Sequence, residues 1–217
     1  MLHSTANSTL ALLDIGLLEQ QLRQEDALLR GHFRLSSGLH SDTYVQCARY
    51  LRRPELAAPA AVALAAQIRA AGLRADVVVG PAMGGVVIGY ELARQLGVPG
   101  IFTERDAEGQ MSLRRGFSIE PGERVIIAED VVTTGKSTLE VAAVLRGLGA
   151  EVLAVASLID RTGGKDGLSF PHFALLAVQA ATYAPESCPL CTAGVPVVKP
   201  GSRPEPLPNP SPAGEGL

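Results

Sequence analysis

Tryptophan is absent from this 217-residue chain, and aromatic residues of every kind make up only 4 % of it. So few rings argue against a platform on which bases of single-stranded nucleic acid could stack. Positive charge is not in excess either. The 19 Lys and Arg are outnumbered by 22 Asp and Glu, giving a formal net charge of −3, so the basic footprint of a nucleic-acid partner is missing. Cysteine is scarce and odd in number (three), which does not fit a secreted disulfide framework. No stretch reaches the ~20 apolar residues that span a bilayer. No basic segment precedes an apolar run near Met1, so no signal peptide is expected and a cytoplasmic location is the default.

What is present is an ordinary core: 47 % of the residues are hydrophobic, and the length suits one domain. Helical patterns are expected over 10–30 (Leu13, Leu17, Leu18 and Leu22 spaced among charges), over the alanine-rich 55–71, over 86–96 and over 136–148. Buried strands are expected over 75–80, 99–103, 124–129, 151–159 and 173–178. Residues 31–46 read as a loop or short hairpin, and 104–116 as a charged, glycine-containing loop. Strands alternating with helices imply an α/β fold, a central parallel sheet with right-handed crossovers. A single domain is expected over 1–199. The Pro-, Ser-, Gly- and Glu-rich stretch 200–217 is expected to be a disordered tail.

The most informative stretch is 125–138, Val-Ile-Ile-Ala-Glu-Asp-Val-Val-Thr-Thr-Gly-Lys-Ser-Thr. An apolar run ends on two adjacent carboxylates, Glu129 and Asp130, and a hydroxyl-rich bend then opens a helix. N–H groups at a helix start lack intrahelical partners and carry partial positive charge, which suits a phosphate. Thr133, Thr134 and Ser137 add hydroxyl donors, and Gly135 admits close approach. The carboxylates repel that phosphate and must face something else, either vicinal sugar hydroxyls or a divalent cation. A sugar phosphate is therefore the implied ligand. Gly135-Lys136-Ser137 also ends a nucleotide-binding Gly-x-x-x-x-Gly-Lys-Ser loop, but Asp130 stands where that loop needs its first glycine.

An apolar strand, two acids, two apolar residues and Thr-Thr-Gly-x-Ser resemble the signature of the type I phosphoribosyltransferases. The resemblance implies their fold: a parallel sheet flanked by helices, with a small hood built from the N-terminal 1–50 and the C-terminal segment. It implies that Glu129 and Asp130 contact the ribose hydroxyls of phosphoribosyl pyrophosphate. It further implies that Val131, Val132, Thr133, Thr134, Gly135, Lys136 and Ser137 complete that site, the bend holding the 5-phosphate.

Three further segments narrow the resemblance. Residues 31–44, Gly-His-Phe-Arg-Leu-Ser-Ser-Gly-Leu-His-Ser-Asp-Thr-Tyr, are similar to the hood of orotate phosphoribosyltransferases, which implies that Tyr44 lines an orotate pocket together with Thr133. Residues 80–85, Gly-Pro-Ala-Met-Gly-Gly, fall where the family faces pyrophosphate; an anion nest and a plain strand-to-helix turn are both open there. Residues 157–164, Ser-Leu-Ile-Asp-Arg-Thr-Gly-Gly, place Arg161 where the family pairs an arginine with the orotate carboxylate.

The loop at 103–116 falls where the family has a mobile catalytic loop, which implies Arg105 on the pyrophosphate and a homodimer with the loop acting across the interface. Ser36, Met83, Gly84 and Asp106 stand where many members carry lysine or tyrosine-lysine, and the main loop lysine aligns near Gly109 or Gln110. Arg114 and Arg115 are the expected substitutes for that charge. The implied reaction is attack of orotate N1 on the ribosyl C1, with Arg105 and Asp130 catalytic and Mg²⁺ carried mainly by the pyrophosphate rather than by protein ligands. Another nucleobase substrate, or a ribosyl-pyrophosphate-sensing regulator, are the alternatives; the latter wants a basic face or an added helix-turn-helix, and neither is visible.

Two features fall outside this reading. His32 and His40 read as hydrogen-bonded structural histidines. Cys188 and Cys191 have half the spacing of a zinc site, with no second pair following; a tight turn is the expected reading, and a dimer supplying four thiolates the alternative.

Overall fold

The computed structural model describes residues 14–165 and 167–200. All but Pro200 of the expected 200–217 tail, and the start of the helix expected over 10–30, lie outside the described residues. The chain runs α1 (Ile15–Gln24), β1 (Leu28–Arg34), β2 (His40–Val45), α2 (Cys47–Leu51), α3 (Pro54–Ala70), β3 (Val77–Pro81) and α4 (Gly84–Leu96). It continues through β4 (Gly100–Arg105), β5 (Met111–Leu113), β6 (Arg124–Val132), α5 (Lys136–Gly147), β7 (Glu151–Asp160), β8 (His172–Ala177), β9 (Thr182–Tyr183) and α6 (Pro189–Thr192). Among the described residues, contacts gather these into two units: a larger one over 14–29 and 45–180, and a smaller one over Arg30–Tyr44 and 181–200.

The larger unit is built on a six-stranded sheet, order β5-β4-β3-β6-β7-β8, parallel from β4 to β8 with β5 antiparallel to β4. Side chains alternate across a strand, so β6 feeds two cores. Ile126 and Ala128 join Leu64, Ile68, Ile88 and Leu92 on one face. Val125 and Ile127 join Val141 and Leu145 of α5 on the other. All four β6 residues are fully buried, and each large one contributes about 1.5–3 kcal/mol relative to exposure. This two-sided burial is why 125–128 reads as an unbroken apolar run.

Helix α1 is shorter than the expected 10–30. Asp14 caps it, its carboxylate accepting from Gly16 N at 2.7 Å. Leu18 and Leu22 are buried, but Leu17 is exposed. The next positions of the Leu18–Leu22 stripe are Glu25 and Asp26, so the apolar face ends there and Leu28 enters β1 instead. The 104–116 loop is also more ordered than expected. Thr103, Glu104 and Arg105 pair antiparallel with Leu113, Ser112 and Met111, and Asp106 Oδ1 accepts from Glu108 N and Gln110 N to close the turn.

Strand β6 runs three residues past its expected end at Glu129. The pairing of Val131 with Ile159 and Val132 with Asp160 on β7 carries it on. On its other side β3 pairs only from Val77–Val125 to Val79–Ile127. The end of β6 therefore stands clear of β3. The chain leaves β3 toward β4 on one side and returns as β6 on the other, so this crevice is the sheet's switch point, where open α/β sheets bind ligands.

The smaller unit contains the hairpin of β1 and β2, with β9 paired antiparallel to β2 (His40 opposite Tyr183, Ser41 opposite Thr182). Phe33 bridges to Val198 in parallel. Among the described residues no helix is long and apolar enough to cross a membrane.

Candidate active site

A cleft of about 220 Å³ opens at the switch point. Pro81, Ala82 and Gly84 line it from the β3–α4 turn, and Glu129, Asp130 and Val131 from the end of β6. Arg105 and Met111 close it from the β4–β5 hairpin, and Ser137 from α5. The sequence had marked most of this wall; Met111 is an addition, brought in by the hairpin that the charged pattern of 104–116 concealed.

Glu129 and Asp130 follow one another on a strand and so leave it on opposite faces. Glu129 lies on the α5 side, where Ser137 Oγ donates to its Oε1 at 2.8 Å. Asp130 lies on the α4 side, its Oδ1 accepting from Val131 N at 2.8 Å. Burial pushes the Glu129 carboxyl up to about 8, the neighbouring Asp130 charge adds to this, and the Ser137 hydrogen bond opposes it. Burial raises Asp130 as well, against the pull of the Val131 N–H. Both acids are thus held in a poorly solvated corner that favours a proton, a hydroxyl donor or a cation.

The corner admits Asp130 only because its neighbours are glycines. A Cβ on Gly84 would sit 2.5 Å from Asp130 Oδ1, and one on Gly85 2.4 Å from the Ala128 carbonyl oxygen. Ala82 N donates to Thr103 O at 2.7 Å, and the Ala82–Met83 peptide is cis. Beneath the site, Cys47 Sγ donates to Asp130 O at 3.5 Å. Burial, then the Asp130 and Glu129 charges, raise this thiol well above its ordinary range, so it is a neutral donor. Cys47 was not foreseen; nothing near it in sequence distinguishes it.

The bend after β6 is exposed at Thr133 and Thr134, and Gly135 takes a left-handed φ of 72° as the cap of α5. Lys136 is largely exposed, with Nζ 4.0 Å from Glu140 Oε1. Val132 is buried at the end of β6 and accepts from Arg161 N at 2.8 Å. This puts Arg161 just past β7, at the same end of the sheet as the acids. Arg105 donates to Gly109 O at 2.7 Å and to Glu140 Oε2 at 2.5 Å. Glu140 was also not foreseen, although its place one turn after Lys136 is a readable i, i+4 signal. Arg114 and Arg115 do not line the cleft; both reach Glu104, at 3.3 and 2.8 Å. Tyr44 lies on β2 in the smaller unit, half-buried, its ring centroid 5.8 Å from that of Phe33.

The arrangement offers acids on two faces of one strand end, a helix start with hydroxyls for an anion, and an arginine poised at the rim. Residues 49–180 match the model of the phosphoribosyl transferase domain family. The chain is 54 % identical over 180 residues to an orotate phosphoribosyltransferase of Carboxydothermus hydrogenoformans, covering 83 % of this chain and 94 % of that one. It is 50 % identical over 184 residues to that of Caldicellulosiruptor saccharolyticus, covering 85 % and 95 %. The crystal structure of orotate phosphoribosyltransferase from Aeropyrum pernix superposes with a TM-score of 0.63 at 28 % identity, over 74 % of this chain and 93 % of that one.

Proposed function

This chain belongs to the orotate phosphoribosyltransferase family, and from that premise we propose that its switch-point cleft joins orotate to the ribosyl 5-phosphate of phosphoribosyl pyrophosphate. The products are orotidine 5-monophosphate and pyrophosphate, a step of pyrimidine nucleotide synthesis. The observation that carries the reading is the placement of Glu129 and Asp130 on opposite faces of β6, above the start of α5. A ring with hydroxyls on one side and a phosphate on an adjacent arm meets acceptors and N–H donors in that order.

In this account Glu129 and Asp130 accept from the ribose hydroxyls and fix the ring. The bend of Thr133, Thr134, Gly135, Lys136 and Ser137 holds the 5-phosphate with N–H and hydroxyl donors and the Lys136 charge. Arg161 pairs with the orotate carboxylate. Orotate N1 then attacks C1 as the bond to pyrophosphate breaks, with no covalent enzyme intermediate. Arg105 leaves Glu140 for the pyrophosphate, whose charge grows in the transition state. Acidic oxygen donors in a poorly solvated corner also fit a hard divalent ion. Mg²⁺ would be carried mainly by the pyrophosphate, with Glu129 and Asp130 the residues able to help hold it, and would supply neutralisation of the leaving-group charge. The proposal includes a cytoplasmic homodimer in which the Asp106–Gln110 turn reaches the neighbouring copy.

The test is an absorbance assay of orotate consumption with phosphoribosyl pyrophosphate and Mg²⁺, run beside the common purine bases and uracil. Orotate turnover is expected. Turnover of a purine or uracil with orotate untouched would replace the substrate assigned here.

A further inference from the structure

The smaller unit has little apolar interior. Of its described side chains, Phe33 is the one large apolar residue that is buried; the others are His32, His40, Ser41, Thr43 and Cys188. Three of these meet at one point, joined by Cys191. His32 and His40 come from adjacent strands β1 and β2, Cys188 and Cys191 from either end of the first turn of α6. One ligand-competent atom from each of the four lies within 4.8 Å of every other. We propose that His32, His40, Cys188 and Cys191 form a structural zinc site within one chain, separate from the catalytic cleft.

The distances support a tetrahedron. Zinc bonds of about 2.3 Å to sulfur and about 2.0–2.1 Å to nitrogen set S···N edges near ~3.6 Å and an N···N edge near ~3.3 Å. Cys188 Sγ lies 3.5 Å from His32 Nε2, Cys191 Sγ 3.7 Å from His32 Nε2, and Cys191 Sγ 3.3 Å from His40 Nδ1. The two ring nitrogens are 2.8 Å apart, about half an ångström inside the ideal edge.

Protonation points the same way. His32 Nδ1 faces the Val195 carbonyl oxygen at 2.7 Å, and a carbonyl can only accept. Nδ1 therefore carries a hydrogen, and in the neutral ring the Nε2 lone pair is aimed at the cluster, the outer-partner arrangement common to metal-bound histidine. Three atoms crowd that single lone pair: His40 Nδ1, Cys188 Sγ and Cys191 Sγ. Hydrogen bonding can use it only once, whereas a central cation engages all four donors. Two thiolates with two neutral imidazoles carry charge −2, which Zn²⁺ cancels, and an S₂N₂ set selects zinc over Mg²⁺ or Ca²⁺.

The consequence is mechanical. His32 O accepts from Val198 N at 2.8 Å, and Val198 O accepts from Arg34 N at 2.9 Å, so the segment after α6 already laces onto β1. Zinc would clamp that segment to the hairpin where no apolar core does so, the role structural metals serve in small modules.

The test uses the full-length protein purified without chelator. Elemental analysis should find one zinc per chain after gel filtration, and X-ray absorption should show two sulfur and two nitrogen neighbours. Replacement by Co²⁺ should give a tetrahedral visible spectrum with a thiolate-to-cobalt charge-transfer band. Cys191→Ser should weaken that band to what the single remaining thiolate of Cys188 gives, and lower zinc affinity by more than the roughly 10–100-fold that loss of an outer partner costs. Should the variant not fold, the wild-type metal content and cobalt spectrum still decide. Wild-type protein with reduced thiols that retains no zinc and gives no charge-transfer band, or that carries a Cys188–Cys191 disulfide, would overturn the site. None of these readouts depends on the reaction assigned to the cleft.

Discussion

The Ser137 hydroxyl donates to Glu129 Oε1 at 2.8 Å, tying the first turn of α5 back to the strand the chain has just left. The acid and the helix start proposed to hold the 5-phosphate are thereby one unit, and moving either disturbs the other. Because this hydrogen bond pulls the Glu129 carboxyl down against the effect of burial, Ser137→Ala should raise it further. We expect phosphoribosyl pyrophosphate to bind up to about tenfold more weakly near neutral pH, the worth of one hydrogen bond at about 0.5–1.5 kcal/mol. Calorimetric titration checks this; unchanged affinity would show that the tie is incidental.

Glu129 should leave a signature in stability. Its carboxyl is held near 8 in the folded chain against an ordinary 4.5. Between those values the folded state keeps a proton that the unfolded state has lost. Stability contributed by the protonated acid is thus complete below about pH 4.5, falls as pH rises, and is gone above about 8, a change on the order of a few kcal/mol. Glu129→Gln is neutral throughout and should flatten this slope, as measured by urea midpoints across the range. Equal slopes in both proteins would mean that Glu129 ionises normally.

Gly84 and Asp130 should behave as one element. A Cβ at Gly84 meets Asp130 Oδ1 at 2.5 Å, so Gly84→Ala must displace that carboxylate at a stability cost of about 1–3 kcal/mol. Asp130→Asn keeps the shape and loses the charge. Each should lower kcat/KM more than about tenfold, and the double substitution should cost less than the sum. Full additivity would argue that Gly84 acts elsewhere.

Arg105 is held by Glu140 at 2.5 Å, with both side chains partly exposed. Such a pair is worth at most about 1 kcal/mol, weak enough to exchange for pyrophosphate. Glu140→Gln should tighten pyrophosphate binding by up to about fivefold, whereas Arg105→Ala should cost roughly 10²–10³ in kcat. Product-inhibition and turnover measurements on the two variants separate these effects; weaker pyrophosphate binding in Glu140→Gln would mean that Glu140 positions the arginine rather than competing for it.

Arg114 and Arg115 share Glu104, which leaves the missing loop lysine without an evident replacement in the cleft. If the loop brings either arginine to the pyrophosphate during turnover, Arg114→Ala or Arg115→Ala should reduce kcat at least tenfold. Unchanged rates in both would discard the substitution.

What could be read before folding was local. Within 125–138 a strand, its acids and a helix start adjoin along the chain, so their order alone places acceptors next to anion donors. Two-sided burial of Val125 and Ile127 against Ile126 and Ala128 wrote the strand as an apolar run. Element types followed for the same reason, since periodicity is imposed by faces only a few residues long.

Other properties needed partners far away in sequence. Strand β6 outlasts its expected end because β7 keeps pairing with it while β3 does not, and no local signal at Asp130 reports that. The meeting of His32 and His40 with Cys188 and Cys191 spans more than 150 residues; read singly, each pair looked like ordinary structure. A motif is legible when the chain itself holds its groups together. It becomes visible only in three dimensions when strand pairing and packing do the holding.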